Sequence, residues 1–169
     1  MTVETTPLPR SARPGPEVAL LAPFYRDWRW TGTIEPGGMG PGTPRMTGIG
    51  NARCRLEGDG LWYACDFQQE QRLDDGTYVL TWRLHWVTGW DARAQEYRAT
   101  SVDNQGPSIG LYRGWIEGDR LVYESLDRAL PRIRLTWILR AAAHCTWRNE
   151  LTLAGRTWQL IEEYAMEAP

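Results

Sequence analysis

The sequence predicts an all-β fold, an antiparallel up-and-down β-barrel of about 8–10 strands with one short N-terminal helix. Apolar and polar residues alternate along most of the chain, and turn residues interrupt the alternation about every 8 to 12 positions, as in sandwiches and barrels. No repeat of fixed period is visible, which disfavours a propeller. Closure removes exposed strand edges, so a barrel is favoured over an open sheet of this size.

The elements are expected in the following order. Residues 1–16 are rich in proline and threonine and predict a disordered tail before a single domain over 17–169. Pro16, Glu17 and the apolar residues after them predict a short helix that Pro23 ends. Ten strands are expected near 26–34, 46–57, 61–70, 77–87, 95–103, 109–116, 120–125, 132–140, 144–152 and 156–165.

Three segments are informative about the ends of the barrel. The glycine- and proline-rich segment 35–44 predicts a flexible loop at one barrel mouth, where it could act as a lid. The pair Trp90-Asp91 predicts a hairpin between a strand that ends at Val87 and one that begins near Gln95. Residues 101–104, Ser-Val-Asp-Asn, fit either the next turn or a polar cluster at a barrel mouth.

Composition excludes several classes of function. The net charge is −2 and no broad basic patch is visible, which argues against a nucleic acid or an anionic membrane as partner. No apolar run is long enough to span a membrane. All 19 basic residues are arginine, so Schiff-base chemistry at a lysine amine is excluded.

The cysteines and histidines predict no metal site. Cys54, Cys65 and Cys145 are odd in number and widely spaced, so neither a disulfide framework nor a metal motif fits. We expect inert core thiols and a reduced, cytoplasmic setting. His85 and His144 are the only histidines, and neither has a Cys or His partner within motif distance, so both are expected at the surface or hydrogen-bonded.

Two charged residues lie on apolar strand faces and are the candidate catalytic residues. Glu162 shares a strand face with Trp158, Leu160 and Tyr164. Arg113 likewise shares a face with Leu111 and Trp115. If these faces point inward, a buried carboxylate must be paired or protonated and its pKa displaced, which marks a candidate site. The alternatives are an ion pair that only holds strand register, or apolar faces that point outward.

Ten tryptophans give the chain an unusually large set of aromatic side chains. Such residues could fill the barrel, or they could line a cavity that stacks on a flat ligand. We assign about half of them to each role, since ligand pockets are mostly apolar with a few polar groups. The candidate ligand-binding residues are Trp30, Arg53, Tyr63, Trp82, Trp86, Tyr112, Trp137 and Trp158.

A series of short motifs occurs in a specific order. The motifs are Trp30-Thr31-Gly32, Gly50-Asn51-Ala52-Arg53, Gly89-Trp90-Asp91, Gln95-Glu96-Tyr97-Arg98-Ala99-Thr100, Tyr112-Arg113-Gly114 and Gly118-Asp119-Arg120-Leu121. Over residues 17–165 the chain resembles a lipocalin-like family of bacterial proteins, domain-of-unknown-function family 1579. The resemblance implies a calycin-type barrel with an internal cavity, and it brings no catalytic residues. Ala92 departs from the family, which usually has proline there.

The sequence supports two main functional hypotheses. The first is a binding module that holds a small apolar or aromatic molecule among Trp and Tyr side chains, with Arg113 and Glu162 orienting its polar end. The second is an enzyme of small-molecule metabolism, such as a cyclase or isomerase, that uses this internal acid/base pair. A filled, purely structural barrel that forms a homodimer is a third. A related barrel family binds heme through a C-terminal histidine; the last strand here, TWQLIEEYAM, has none, so no cofactor is expected.

Overall fold

The structure, a computed structural model, describes residues 13–106, 108–127, 131–153 and 157–169. Ten antiparallel strands form one closed barrel, in which each strand pairs with its neighbours in sequence and the first strand pairs with the last. The elements are α1 (Pro16–Ala19), β1 (Trp28–Ile34), β2 (Met46–Glu57), β3 (Trp62–Leu73), β4 (Tyr78–Asp91), β5 (Glu96–Asp103), β6 (Ile109–Glu117), β7 (Arg120–Ser125), β8 (Arg132–Ala141), β9 (His144–Thr152) and β10 (Gln159–Glu167). The predicted fold class is confirmed. Most of the predicted tail, residues 1–12, lies outside the described residues.

The hairpin at Trp90-Asp91 forms as predicted, although β4 continues beyond Val87. Asp91 pairs with Glu96 at the end of the β4–β5 ladder. The Asp91 carboxylate accepts hydrogen bonds from the backbone N–H groups of Arg93 and Ala94 at 2.9 and 3.1 Å. A side chain that bonds the backbone two and three residues on closes the turn without proline.

The N-terminal segment closes one end of the barrel. α1 is shorter than the predicted helix, and turns carry the chain from it to β1. Leu21, Phe24 and Tyr25 are buried at that end, where Trp28 donates from its indole nitrogen to the Phe24 carbonyl at 2.9 Å. Among the described residues no helix is both long enough and apolar enough to span a bilayer.

Glycines make room for large rings inside the barrel. A Cβ atom at Gly50 in β2 would lie 2.5 Å from the Trp30 ring, and one at Gly114 in β6 would lie 2.5 Å from the Tyr123 ring. Only a residue without a side chain therefore fits at these inward positions. The rings of the neighbouring strands occupy the space that the glycines leave.

The cysteine prediction is wrong for two of the three residues. Cys54 and Cys65 lie directly opposite each other in the β2–β3 ladder and form a disulfide. Cys145 is free and buried, and burial raises the pKa of its thiol to about 12. The spacing of Cys54 and Cys65 did not indicate a disulfide, because the register of the β2–β3 hairpin and not a compact sequence motif brings them together. The expectation of a reduced setting rested on free cysteines, and it is no longer supported by them.

Candidate functional site

The barrel interior contains a chamber at the end opposite to the one that the N-terminal segment closes with Leu21, Phe24 and Tyr25. The chamber has a volume of about 330 Å³, within the range of small-molecule sites. A smaller apolar cavity of about 30 Å³ adjoins it deeper in the barrel. The residues that line the larger chamber are Gly38, Met39, Gln71, Trp82, Leu84, Trp86, Ser101, Asp103, Gln105, Tyr112, Ile133, Leu135, Trp147, Asn149 and Glu162. A barrel filled by its own side chains, the third hypothesis, does not fit this volume.

The rim of the chamber combines both features that the sequence placed near a mouth. Gly38 and Met39 bring the glycine-rich loop 35–44 to the chamber, as predicted, and a lid role for this loop stays a prediction. Asp103 lines the chamber and also accepts the backbone N–H of Gln105 at 2.8 Å, as in a turn. Ser101 and Asp103 at the end of β5 therefore belong to the polar rim, and the turn begins at Asp103.

Tryptophan rings form much of the wall. Trp82, Trp86 and Trp147 line both the chamber and the smaller cavity. Trp86 is 1% exposed and its ring centroid lies 5.0 Å from that of Tyr112, another lining residue. Of the predicted ligand-binding residues, those that line this interior space are Trp30, Trp82, Trp86, Tyr112 and Trp137.

Three predicted ligand-binding residues lie elsewhere. Tyr63 is buried at the plugged end, where its ring stacks on Tyr25 with 5.5 Å between centroids. Arg53 is exposed on the outer face of β2, beside an open surface groove. Trp158 packs outside against Arg134, whose guanidinium carbon lies 4.0 Å from the ring centroid. These three side chains do not line the chamber.

Glu162 faces the chamber, as predicted from its alternation with Tyr164. The residue is 7% exposed, and Asn149 donates to its carboxyl group at 3.1 Å. Tyr164 lies two positions further along the same inward face of β10, so its hydroxyl is a neighbour of this carboxyl group. Burial raises the pKa of Glu162, and the Asn149 and Tyr164 side chains offset part of that effect.

A chain of hydrogen bonds holds the Tyr164 hydroxyl in place. The Trp30 indole N–H donates to the Gln69 side-chain oxygen (Oε1) at 2.9 Å, and the Gln69 side-chain N–H₂ donates to the Tyr164 hydroxyl oxygen at 2.9 Å. Burial raises the pKa of Tyr164, and the neighbouring Glu162 raises it further, so the phenol keeps its proton at neutral pH.

Arg113 does not face the interior, and its prediction as an internal partner of Glu162 is wrong. Its side chain is 49% exposed and lies 3.6 Å from Glu124 on the outer face of the barrel. Glu124 is 6% exposed and also pairs with Arg132 and Arg134 at 2.9 and 2.6 Å. The ion pair expected between Glu162 and Arg113 is therefore replaced by a separate outer cluster around Glu124.

Sequence reasoning missed three amide residues of the interior. Gln69 and Gln71 are each 1% exposed, and they continue the inward face that Phe67 occupies in β3. Asn149 follows Trp147 on the inward face of β9. The available signal was a polar residue two positions from an aromatic one within a strand. No group of three or more His, Cys, Asp or Glu side chains in the described ranges is placed to hold a metal ion.

The comparisons with known proteins bear on the fold alone. No protein-family model matches the chain, and no curated protein matches it. Among solved structures the chain is similar to the crystal structure of Rv2717c from M. tuberculosis. The TM-score is 0.62 over 92% of this chain and 99% of that one, with 12% sequence identity. The protein is a ten-stranded antiparallel β-barrel with this structural neighbour.

Proposed function

We propose that this protein binds a small hydrophobic or aromatic molecule inside the barrel. The observation that carries the proposal is the chamber of about 330 Å³ whose wall contains Trp82, Trp86 and Trp147. Flat rings stack well on indole side chains, and transfer of apolar surface out of water stabilises the complex by about 25 cal/mol per Å². The resemblance to lipocalin-like, calycin-type proteins supports the same function.

The positions of the two candidate catalytic residues support the enzyme alternative less well. That hypothesis needs Arg113 beside Glu162, and Arg113 lies on the outer face. No arginine or histidine is among the described residues that line the chamber. Glu162 therefore has no basic partner there for the acid/base chemistry that was considered.

Fluorescence titration tests the binding function. N-Phenyl-1-naphthylamine is a flat and neutral fluorophore, and it should quench the tryptophan emission saturably with one site per chain. Replacing Leu84, which lines the chamber, by tryptophan should abolish this effect because the added ring fills the space. Leu111→Trp is the matched control, since Leu111 is 50% exposed on the outer face.

Two results would overturn the proposal. One is quenching by the wild-type protein that rises linearly without saturation. The other is saturable quenching that Leu84→Trp leaves unchanged and Leu111→Trp removes, because the probe would then bind the outer surface.

A further inference from the structure

The charged groups of the chamber have one sign. Glu162 lies in its wall and Asp103 at its rim. Among the described lining residues no arginine or histidine balances these two carboxyl groups. A ligand with its own carboxylate would meet only like charge here.

Two residues that line the chamber, Gln71 and Asn149, have buried side-chain oxygens without donors within the described ranges. The Gln71 residue is 1% exposed, and its side-chain oxygen accepts no hydrogen bond from the described part of the chain. The buried side-chain oxygen of Asn149 is likewise unpartnered among the described residues. An unsatisfied buried acceptor destabilises the folded protein, so a bound group that donates to these oxygens would remove that penalty.

The donors near these acceptors are already engaged. The Asn149 amide N–H₂ donates to Glu162 and the Gln71 amide lies 3.8 Å from the Met39 sulfur. The Trp82 indole N–H points to Asp103 at 3.4 Å. The polar part of the chamber therefore offers oxygen acceptors to a ligand and few free donors.

We propose that the molecule bound in this chamber carries a protonated amine, which docks on Glu162 in the wall that also contains Asn149 and Gln71. This inference rests on the proposed binding function and specifies the class of its ligand. An ammonium group supplies three N–H donors and one positive charge. The indole rings in the chamber wall, such as Trp82, attract a cation through their π-electrons. The apolar part of the same molecule would lie against these rings.

The buried state of Glu162 agrees with this assignment. Burial disfavours its ionised form, and an ammonium group beside it would restore the ionised form by direct charge pairing. Among the described residues Glu162 has the Asn149 amide as its hydrogen-bond partner and the Tyr164 hydroxyl as a neighbour, and neither carries a charge at neutral pH. A cation that pairs with this carboxyl group would therefore come with the ligand.

Calorimetric titration with three matched probes tests the inference at pH 7. The probes are 2-phenylethylamine, which is a cation, 2-phenylethanol, which is neutral, and 3-phenylpropionate, which is an anion. We expect the amine to bind at least tenfold more tightly than the alcohol, and the anion to bind most weakly. Glu162→Gln should reduce the affinity for the amine at least tenfold and change the affinity for the alcohol less than threefold.

Two further variants make the test specific. Glu163→Gln is the matched control, because Glu163 is the next residue, pairs with Arg148 and does not line the chamber. It should leave all three affinities unchanged. Asp103→Asn alters an exposed rim residue outside the core and should weaken amine binding at least threefold. This second variant keeps the test decisive if Glu162→Gln fails to fold.

The outcomes separate the two proposals. If the alcohol binds as tightly as the amine, or if Glu162→Gln and Asp103→Asn both leave the preference for the amine intact, the amine assignment is wrong and the binding function stands. If none of the three probes binds and the neutral fluorophore also fails, the binding function itself is overturned, and the amine assignment with it.

Discussion

Reduction of the Cys54–Cys65 disulfide should lower the stability of the barrel measurably. The two cysteines are 11 positions apart, and cross-linking a loop of that length removes conformational entropy from the unfolded chain. The chain-entropy relation gives about 3 kcal/mol of stabilisation at 25 °C. For a domain of this size, 1 kcal/mol shifts the melting temperature by about 2–4 °C, so the reduced protein should melt about 6–12 °C lower.

The assay is thermal unfolding followed by circular dichroism, with oxidised and reduced samples side by side. Because Cys65 is completely buried, the reduced sample should be prepared by unfolding with a reductant, refolding with the reductant present and counting thiols by mass spectrometry. The double variant Cys54→Ala/Cys65→Ala is the control, and its melting temperature should not respond to the reductant. A wild-type protein with all three thiols free and an unchanged melting temperature would refute the entropic reasoning.

Three other changes test the core and the outer cluster by urea unfolding. The pKa of Glu162 is raised above its ordinary value near 4.5, so its contribution to stability is fully present below pH 4.5 and is lost as the pH rises through the folded-state pKa. Glu162→Gln should remove that decline, and equal pH profiles for variant and wild type would contradict it. Gly50→Ala places a methyl group 2.5 Å from the Trp30 ring and should cost about 1–3 kcal/mol. Gly106→Ala is its control because a Cβ atom there would have no neighbour within 4 Å. Equal losses of unfolding free energy in the two variants would refute the packing argument. Glu124→Ala should cost about 1–3 kcal/mol, less than a fully buried pair because its arginine partners reach solvent; no loss would show that the cluster is neutral to stability.

Alternation and turn residues were enough to predict the barrel and most strand boundaries. β2, β7 and β9 have the predicted bounds, since each is flanked by clear turn signals. The same alternation fails within β10, where a bulge between Leu160 and Glu162 shifts the register. Counting inward positions from Tyr164 gives the correct face for Glu162, whereas continuing the count across the bulge gives the wrong face for Trp158. One inserted residue reverses every later assignment, and no residue type in the sequence marks it.

The error at Arg113 has a different cause. Its apolar neighbours Leu111 and Trp115 form the outer face of β6, where they are 50% and 37% exposed. The inward face of β6 contains Gly110 and Gly114, which look like weak strand residues in the sequence. Gly114 is needed there because a Cβ atom would lie 2.5 Å from the Tyr123 ring. Two glycines on one strand face, with an aromatic residue between them and another on the neighbouring strand, were the signal for the inward face.

The polar residues of the interior limit what any apolar pattern can predict about this site. Gln71 and Asn149 lie on faces that alternation alone assigns to the core, and apolar side chains there would avoid the cost of buried oxygens without donors. A barrel selected only for stability has no use for such acceptors beside an equally buried carboxyl group. Their presence around one chamber, with Glu162 in the same wall, is the part of the interior that packing of the barrel does not explain, and it is the part that the amine proposal addresses.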